Sequence, residues 1–395
     1  MRLAIALVLS ACFCTSAVAQ SSSFQWHLFL SAREVRVKAQ PSWTEGGFGR
    51  FDVGADSSGS TKNLNTDVAQ LGFDWTPIRW FLLHADGIAR REQAGTIGKR
   101  AGLVQAYADL FTEHLRLRAG TFWLPTSREN TDPLWTSRYT ITYSALNSWM
   151  AQEVRPVGVD FQFAPSFYFT AGATAFRGND TMGTVLSGRG WSLGNRISTY
   201  NEIIGVPPPD VGTRAIGPDI DHKLGFAERI RLQVPERALL QITHVDNRTK
   251  LVPGDAPETP WQTRFNNVGG ELGSTSPTTL AAEWLKGQTT LAFPGGTYTL
   301  DFDTYYLLVS RKYGKDRYTT RIERFSTRSH VRRADDGSRE NGKALTVAWL
   351  HDVSEHVRGG LEYVKVDGDR PGLSSAGLDP RTGGSTITIE LRLSY

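Results

Sequence analysis

Cysteine is almost absent from this chain of 395 residues. Its two cysteines, Cys12 and Cys14, both lie in an apolar N-terminal stretch that has the character of an export leader. Removal of that leader leaves no cysteine, which excludes a disulfide framework, thiolate chemistry and thiolate metal sites from the mature chain. Long apolar runs are also missing after residue 19, whereas a membrane helix needs about 20 apolar residues in a row. A helical membrane protein is therefore excluded, and a β-rich exported protein remains.

An excess of charge of one sign is missing as well. The chain has 44 Lys+Arg residues against 40 Asp+Glu residues, a formal net charge of +4. A balance so close to neutral does not indicate a nucleic-acid partner. Motifs of the HExxH, GxSxG and phosphate-loop types are absent, and the 8 histidines are scattered. We therefore predict that the protein is not an enzyme, with no catalytic residues, no metal site and no cofactor.

Residues 1–19 have the order of a secretory signal peptide, with a positive start, an apolar stretch and Ala-Val-Ala ahead of Gln20. An alternative is a lipoprotein processing box, in which Leu-Ser-Ala precedes Cys12 and a lipid is attached to that cysteine. The lipoprotein interpretation leaves an apolar core of only about eight residues, at the short limit for such a core. We therefore expect export with cleavage after Ala19.

The C-terminal residues alternate strictly between apolar and polar side chains. Apolar side chains stand at Ile387, Ile389, Leu391, Leu393 and Tyr395, and every residue between them is polar. Successive side chains of a strand point to opposite faces, so this strand has one apolar face. A soluble β-sandwich would bury such a face in its core. The aromatic end of the chain, however, resembles the C-terminal signal of bacterial outer-membrane barrels, which implies insertion by the barrel assembly machinery through Tyr395.

Alternating segments separated by turn residues recur along the chain, each close to the 9–11 residues or so that a membrane strand needs. The segments are 48–57, 66–76, 79–91, 103–112, 115–123, 154–163, 166–177, 224–234, 237–247, 263–273, 278–288, 298–311, 317–328, 343–353, 357–367 and 385–395. Short breaks such as 76–78 and 314–316 alternate with long ones, which include 124–153, 178–223, 248–262 and 368–384. A soluble β-protein has no reason to alternate in this way. The pattern predicts an all-β, transmembrane antiparallel β-barrel of about sixteen strands in the bacterial outer membrane, with its short turns in the periplasm.

Three regions follow from these segments. Residues 1–19 are the signal peptide, residues 20–47 an N-terminal periplasmic extension, and residues 48–395 the transmembrane β-barrel. The extension contains an alternating piece of its own, from Trp26 to Val37, which we leave outside the barrel.

The third long break, residues 124–153, is rich in Trp, Tyr and Leu. A loop of this length and composition is not expected to stay loosely solvated. We predict an inward-folded constriction loop that presents four charged residues to the pore, namely Arg128, Glu129, Asp132 and Arg138. The alternative is a packed extracellular loop without a gating role. The longer break at 178–223 is predicted to be an extracellular cap or a trimer contact.

The apolar face of each strand determines which residues face the lumen. A charge on the lipid face costs about 2–4 kcal/mol near the middle of the bilayer, so charged alternating positions point inward. The predicted pore-lining residues are Arg116, Arg118, Arg155, Asp160, Arg229, Arg231, Arg321 and Glu323. We expect a positive wall that faces Asp160, Glu129 and Asp132 across the pore and consists of Arg116, Arg118, Arg155, Arg229 and Arg231. A barrel of about sixteen strands leaves room for an aqueous channel.

One part of the sequence resembles a known family. Residues 116–125 are Arg-Leu-Arg-Ala-Gly-Thr-Phe-Trp-Leu-Pro, followed by Ser-Arg-Glu-Asn at 127–130 and by Glu-Val-Arg-Pro-Val-Gly at 153–158. This pattern resembles the strand-then-loop segment of the phosphate-selective porins O and P and their relatives. The resemblance implies a trimeric channel of about sixteen strands for small anions or small hydrophilic solutes. The inward charges of this chain are mixed and its lysines few, so we do not carry over phosphate selectivity.

Together these features predict an outer-membrane porin for passive diffusion of small hydrophilic solutes or ions, with a weak preference for anions. Its partners would be outer-membrane lipid, the permeating solutes and further copies of the chain in a homotrimer. Two alternatives stay open, a surface or structural β-barrel with a blocked lumen and an outer-membrane hydrolase. The first would conduct no ions, and the second would need a nucleophile beside a histidine base.

Overall fold

The computed structural model of the chain describes residues 23–57, 59–93, 98–206, 211–252, 258–330 and 337–395. The predicted leader, with both cysteines, lies outside these residues. No helix in the described part of the chain is long and apolar enough to cross a membrane.

Strands dominate because apolar and polar side chains alternate over most of the chain. The strands are β1 (Phe24–Ala39), β2 (Thr61–Ile78), β3 (Phe81–Arg91), β4 (Ala101–Phe111), β5 (Leu115–Thr121), β6 (Val157–Ser166), β7 (Phe169–Arg177), β8 (Ile203–Val206), β9 (Val211–Arg214), β10 (Gly225–Val234), β11 (Ala238–Asp246), β12 (Trp261–Leu272), β13 (Thr278–Phe293), β14 (Gly296–Tyr313), β15 (Asp316–Ser329), β16 (Glu340–Asp352), β17 (Val357–Asp369) and β18 (Gly384–Ser394). The helices are α1 (Ala145–Glu153) and α2 (Thr184–Arg189), with short 3-10 turns at Trp43–Glu45, Pro133–Trp135 and Pro371–Ala376.

Among the described residues, sixteen strands close into one antiparallel barrel, namely β1–β7 and β10–β18. β18 pairs with β1 at the seam, where Leu393 lies opposite Leu30 and Thr386 opposite Val37. The two other strands, β8 and β9, form a separate hairpin between β7 and β10. The predicted all-β antiparallel barrel of about sixteen strands is confirmed.

The first strand of the barrel is not where the sequence pattern placed it. Residues 24–39, which we assigned to a periplasmic extension, form β1 and pair with both β2 and β18. Residues 48–57, which we assigned to the first strand, lie in the loop between β1 and β2. Each of the other predicted segments overlaps a barrel strand.

The misplacement has a physical reason in β1 itself. In the first half of β1 the outward side chains are apolar, as at Trp26 and Leu30. In its second half the outward side chains are charged and the inward ones apolar, as at Arg36 and Val37. The alternation therefore changes phase in the middle of the strand. Because β1 has no continuous apolar face, its sequence pattern does not indicate a membrane strand.

Connections at one end of the barrel are short, and most of those at the other end are long. Short turns such as the one between Ile78 and Phe81 share an end with the two strand termini at the seam. The long connections include L1 (40–60), L3 (122–156) and L4 (178–224). The short-turn end is the end that the predicted parity assigns to the periplasm.

The outer surface of the barrel is a belt of exposed apolar side chains. Leu391 and Ile389 on β18 are 60% and 57% exposed, and Phe161 on β6 is 47% exposed. Aromatic side chains such as Trp80 and Tyr318 stand half exposed beside the short turns. A surface this apolar is rare in contact with water and typical of contact with lipid. The strands therefore carry the chain across a membrane.

The inside of the barrel is packed with loops at the level of its long-loop half. Trp149 of α1 lies with its ring centroid 5.3 Å from those of Phe265 and Phe302 on the wall, and 6.0 Å from that of Trp191 in L4. All four side chains are at most 1% exposed. Aromatic pairs of this kind add about 0.5–1.5 kcal/mol each beyond the burial of their area. L3 and L4 thus share a hydrophobic core with the barrel wall.

Candidate functional site: the barrel lumen

L3 enters the lumen after β5 and carries α1 inside it. Ser144 caps this helix, because its Oγ accepts a hydrogen bond from the Asn147 amide at 3.2 Å. Every residue of α1 is buried. The prediction that the third loop folds inward is confirmed.

Carboxylates on the barrel wall hold the backbone of L3 in place. The two oxygens of Glu362 accept hydrogen bonds from the amides of Ile141 and Thr142 at 2.7 and 2.9 Å. Glu323 accepts the amide of Ala145, the first residue of α1, at 2.7 Å. A buried amide without an acceptor costs about 1–3 kcal/mol, so these carboxylates determine where the loop can lie.

Arg321 also connects this wall to L3. Its guanidinium pairs with Glu129 of L3, and its Nε donates to Glu323 at 2.8 Å. The three side chains are 0–4% exposed. Arg321 and Glu323 therefore point into the barrel, but L3 covers them. In this position they anchor the loop and do not contact open water.

Arg155 also points inward and is also covered. It lies in L3 just before β6, and its guanidinium donates to the Ser198 carbonyl of L4 while standing 4.5 Å from the ring centroid of Trp123. Burial lowers the pKa of Arg155 to about 10. Its role in this structure is to connect L3 to L4.

An arginine cluster lies in the short-turn half of the lumen, on the wall formed by β4–β6 and β10. Arg229 contacts both oxygens of Asp160, at 2.6 and 2.8 Å. Arg118 holds Asp109 in the same bidentate way, at 2.7 and 2.8 Å. The cluster is completed by Arg116, 3.8 Å from Asp160, and by Arg231. Guanidiniums therefore outnumber carboxylates on this wall.

The expectation of oppositely charged walls is wrong. Asp160 lies opposite Arg118 on the adjacent strand and therefore belongs to the arginine wall itself. Glu129 lies in the buried pair with Arg321. Strand register and the path of L3 decide both positions, and neither follows from the alternation of a single strand.

Three further L3 residues that the sequence predicts at the pore are Asp132, Arg138 and Arg128. Asp132 pairs with Arg138 at 2.5 Å, and their side chains are 27% and 38% exposed. Arg128 is buried and donates to Gln241 on β11 at 3.4 Å. Of the four loop residues, Asp132 and Arg138 are thus the two that reach lumen water.

L4 contributes interior residues that the sequence reasoning did not assign to the lumen. Its Glu202 receives Arg196 of the same loop at 2.5 Å and Arg90 of β3 at 2.6 Å. Burial alone would raise the pKa of Glu202, but the guanidiniums of Arg196 and Arg90 lower it to about 2. The signal for this placement is the apolar content of L4, since residues such as Trp191 and Leu193 would not be stable in a solvated cap.

Three carboxylates in L4 stand close together, with one oxygen of each of Asp180, Asp219 and Asp221 within 4.8 Å of the others. Asp180 already accepts hydrogen bonds from Thr249 Oγ1 at 2.7 Å and from the Ile220 amide at 2.5 Å. These protein donors satisfy the buried carboxylate. We therefore assign this cluster to the packing of L4 and not to a metal.

Two small cavities lie between the loops and the wall formed by β1–β3 and β18. The first has a volume of about 60 Å³, and Arg33, Asp52 and Arg196 line it together with apolar side chains. The second has a volume of about 10 Å³ and lies beside Gln70 and Arg392. A single water needs a cavity of about 10–15 Å³. The second cavity is therefore about the size of one water.

No family model matches the chain, and no curated protein sequence matches it. Solved structures do. The outer membrane channel DcaP of Acinetobacter baumannii has a TM-score of 0.61 at 10% identity, with 96% of this chain and 99% of that chain covered. An anion-selective porin from Comamonas acidovorans has a TM-score of 0.60 at 11% identity, with 95% and 100% covered. OmpF of Salmonella typhi, in complex with daunomycin, has a TM-score of 0.58 at 10% identity, with 94% and 97% covered.

The chain has the porin fold. At identities this low the likeness concerns the path of the backbone and not the lining of the lumen. What passes through this porin fold must therefore be argued from its own arginines, loops and cavities.

Proposed function

We propose that the protein is an outer-membrane porin through which small hydrophilic solutes or ions diffuse, with a weak preference for anions. The observation that carries this proposal is Arg231, whose buried Nε has no hydrogen-bond partner and whose guanidinium pairs with no acid among the described residues. Arg116, Arg128 and Arg229 are close enough to interact with it electrostatically. Uncompensated positive charge inside a pore raises the local concentration of anions. Two of the similar structures are named as an anion-selective porin and an outer membrane channel, which supports the proposal.

The test is single-channel conductance of the refolded protein in a planar bilayer under a salt gradient. Stepwise conductance with a reversal potential of the anion-selective sign is the expected result. Conductance with cation preference would keep the channel and overturn the role of the arginines. Phosphate belongs among the anions measured, because residues 116–130 resemble those of the phosphate-selective porins O and P. The proposed preference does not require phosphate to be favoured.

A surface or structural barrel with a blocked lumen is the second candidate. The packing of L3 and L4 inside the barrel favours it, because the cavities left between these loops and the β1–β3 wall are only about 60 and 10 Å³. The conductance experiment separates the two candidates. A folded, heat-modifiable barrel that conducts nothing would support the second and contradict the first.

The hydrolase alternative has little support in the geometry. His84 on β3 has its Nδ1 2.6 Å from Asp74 and its Nε2 3.0 Å from Asp86. Since carboxylates occupy both ring nitrogens, neither nitrogen is free to accept the proton of a nucleophile. We propose no catalytic residue here.

We further propose that the protein forms a homotrimer through the outer face of β2–β4. In the middle of β3 and β4 the outward positions are small residues, namely Ala85, Gly87, Ala89, Ala106 and Ala108, with the larger Leu103 and Leu110 exposed beside them on β4. Near the long-loop end this face also carries an exposed ion pair between Asp67 and Arg91 at 3.2 Å. A patch of small residues with an exposed ion pair suits another protein surface better than lipid, because charge on the lipid face is costly.

Tyr395 is proposed as the contact for the barrel assembly machinery. Its amide and carbonyl exchange hydrogen bonds with Leu28 of β1 at 2.9 and 2.8 Å. Its side chain is 70% exposed on the outer surface beside the seam. The aromatic ring is thus presented outward at the site where the barrel closes.

A further inference from the structure

We propose that a basic patch on the outer face of the barrel binds the phosphate groups of a phosphorylated glycolipid in the outer leaflet of the membrane. The patch consists of Arg324 on β15, Lys343 on β16, Lys365 on β17, and Arg36 and Lys38 on β1. The inference rests on the outer-membrane location, with the long loops outside. It does not depend on conduction through the lumen.

The patch lies where the outer face changes from apolar to charged. On three adjacent strands an exposed apolar residue is followed, two positions nearer the long-loop end, by an exposed cation. These pairs are Ile322 and Arg324 on β15, Leu345 and Lys343 on β16, and Tyr363 and Lys365 on β17. Because side chains two positions apart share a face of the strand, each cation stands directly above the apolar belt.

Aromatic side chains mark the same level of the barrel. Trp284 on β13 lies opposite Tyr305 on β14, and Tyr305 lies opposite Arg324. Both rings are exposed on the outer surface. Amphipathic rings favour the level of the lipid headgroups. The patch therefore stands beside the headgroups of the leaflet on the long-loop side.

Two cations of the patch face each other without an acid between them. Arg324 stands directly opposite Lys343 on the neighbouring strand. Like charges in this position repel each other and destabilise a sheet. Within the described residues Arg324 has no acidic partner, and the pair of Lys343 with Asp367 at 3.7 Å is too exposed to contribute much. A phosphate group between the two side chains would accept hydrogen bonds from both and remove the repulsion.

A second group of cations extends across the seam. Lys365 on β17, Ser385 on β18 and Lys38 on β1 stand in one row of the sheet. Arg36 lies two residues before Lys38 on the same face of β1. Two groups of cations suit a headgroup with two phosphates better than a phospholipid headgroup, which has one.

Acids beside the patch leave it with an excess of positive charge. Asp367 lies 3.7 Å from the ammonium groups of both Lys343 and Lys365, so one carboxylate is shared by two cations. Glu34 lies on β1, two residues before Arg36. Surface pairs of this kind are weak, so the lysines remain available to a ligand.

The apolar surface below the patch suits acyl chains. A groove of about 340 Å³ indents the outer face of β14–β17, and Val347, Leu361 and Tyr363 are among the side chains that line it. Tyr363 is two residues from Lys365 on the same face, so the groove reaches the patch. A lipid can therefore contact the apolar surface and the cations at once, whereas a free phosphate meets only the cations.

The experiment uses native mass spectrometry to measure how much lipid A the full-length refolded protein retains from detergent micelles. Lipid A with two phosphates is compared with the same lipid after removal of its phosphates. EDTA is present throughout, so that no divalent cation links a phosphate to Asp367 or Glu34. The wild type should bind the phosphorylated form about tenfold more tightly, as expected for hydrogen bonds to a charged group.

The variant carries Arg324→Gln and Lys343→Gln together. It should bind phosphorylated lipid A about tenfold more weakly than the wild type, because both facing cations are lost. Its binding of dephosphorylated lipid A should not change, since the apolar groove is intact. Heat-modifiable mobility on a gel shows that the barrel is folded.

Arg264→Gln with Lys286→Gln is the matched control, because it removes the same two residue types from the outer face of β12 and β13. Lys286 stands directly opposite Asp303, and Arg264 donates to Gln288 on the neighbouring strand at 3.0 Å. These cations already have protein partners. The control should therefore bind phosphorylated lipid A as the wild type does.

Three results would overturn the proposal. An equal loss of binding in both double variants would assign the effect to general surface charge. Equal binding of the two forms of lipid A by the wild type would exclude recognition of the phosphates, whatever the variants do. Displacement of lipid A by an equal concentration of phosphatidylglycerol would assign the surface to a phospholipid. None of these measurements uses conductance, so the channel function stands or fails separately.

Discussion

Arg229 and Arg231 stand two residues apart on β10, yet their charges are in different situations. Arg229 is neutralised by Asp160, whereas Arg231 has no acidic partner in the part of the chain that the structure describes. We therefore expect Arg231→Gln to lower the anion-to-cation permeability ratio by about twofold to threefold. The measurement is the reversal potential under a salt gradient. Lys365→Gln, which removes a positive charge from the outer face of β17, is the control; an equal shift in that variant would assign the effect to surface charge.

The orientation of single residues could be predicted from alternation, but their neighbours could not. Arg116 and Arg118 alternate with exposed leucines and point inward for that reason alone. That L3 covers Arg321, and that Asp160 lies among arginines, depends on contacts between segments far apart in the sequence. Such contacts have no local signal, so sequence reasoning gives the direction of a side chain and not its accessibility.

L4 is held inside the barrel by an ion-pair joint that depends on pH. The guanidiniums of Arg196 and Arg90 lower the pKa of Glu202 to about 2, below its ordinary value of 4.5. The joint therefore stabilises the packed loop fully above about pH 4.5, and this stabilisation is lost as the pH falls from about 4.5 to about 2. We expect pepsin to begin cleaving L4 within that range.

Glu202→Gln tests the joint directly. The variant should be cleaved more readily than the wild type at pH 4.5, and its cleavage should change less between pH 4.5 and pH 2. Glu228→Gln, on the outer face of β10, should behave as the wild type does. If Glu202→Gln kept the wild-type pH profile, the titrating group would be another carboxylate.

At the scale of elements, a strand with one continuous apolar face was predictable, and one that changes phase was not. β18 shows the first case, because its apolar and polar positions do not change sides over its length. β1 shows the second case, and it was assigned outside the barrel for that reason. The helix α1 was missed because its nine residues are buried on every side, so no amphipathic pattern marks it.

The whole molecule presents two different outer faces, and the face of small residues on β3 and β4 should hold the subunits together. Ala89→Trp places a large side chain on that face and should convert trimers to monomers without unfolding the barrel. The mass of the protein in detergent, measured by light scattering, gives the result. Leu240→Trp, on the exposed outer face of β11, is the control and should stay trimeric. A wild-type protein that is monomeric in native lipid would contradict the proposal.

The architecture of the whole molecule was the most predictable level. Short connections join every second pair of consecutive barrel strands and most of the other connections are long, and this regularity survives errors of several residues at each strand boundary. The predicted number of strands is right despite the misplacement of β1, because one loop segment was counted as a strand and one barrel strand was not counted. The filling of the lumen was not predictable in the same way, since it depends on how L3 and L4 pack against distant parts of the wall.

The seam between β1 and β18 has a consequence for the timing of synthesis. Leu28 and Tyr395 exchange two backbone hydrogen bonds across it, although nearly the whole chain separates them. The barrel can close only after β18 has been made, so any sheet that forms earlier has two unpaired edges. Such edges readily pair with other chains. The cell must therefore protect these edges from other chains until β18 has been made.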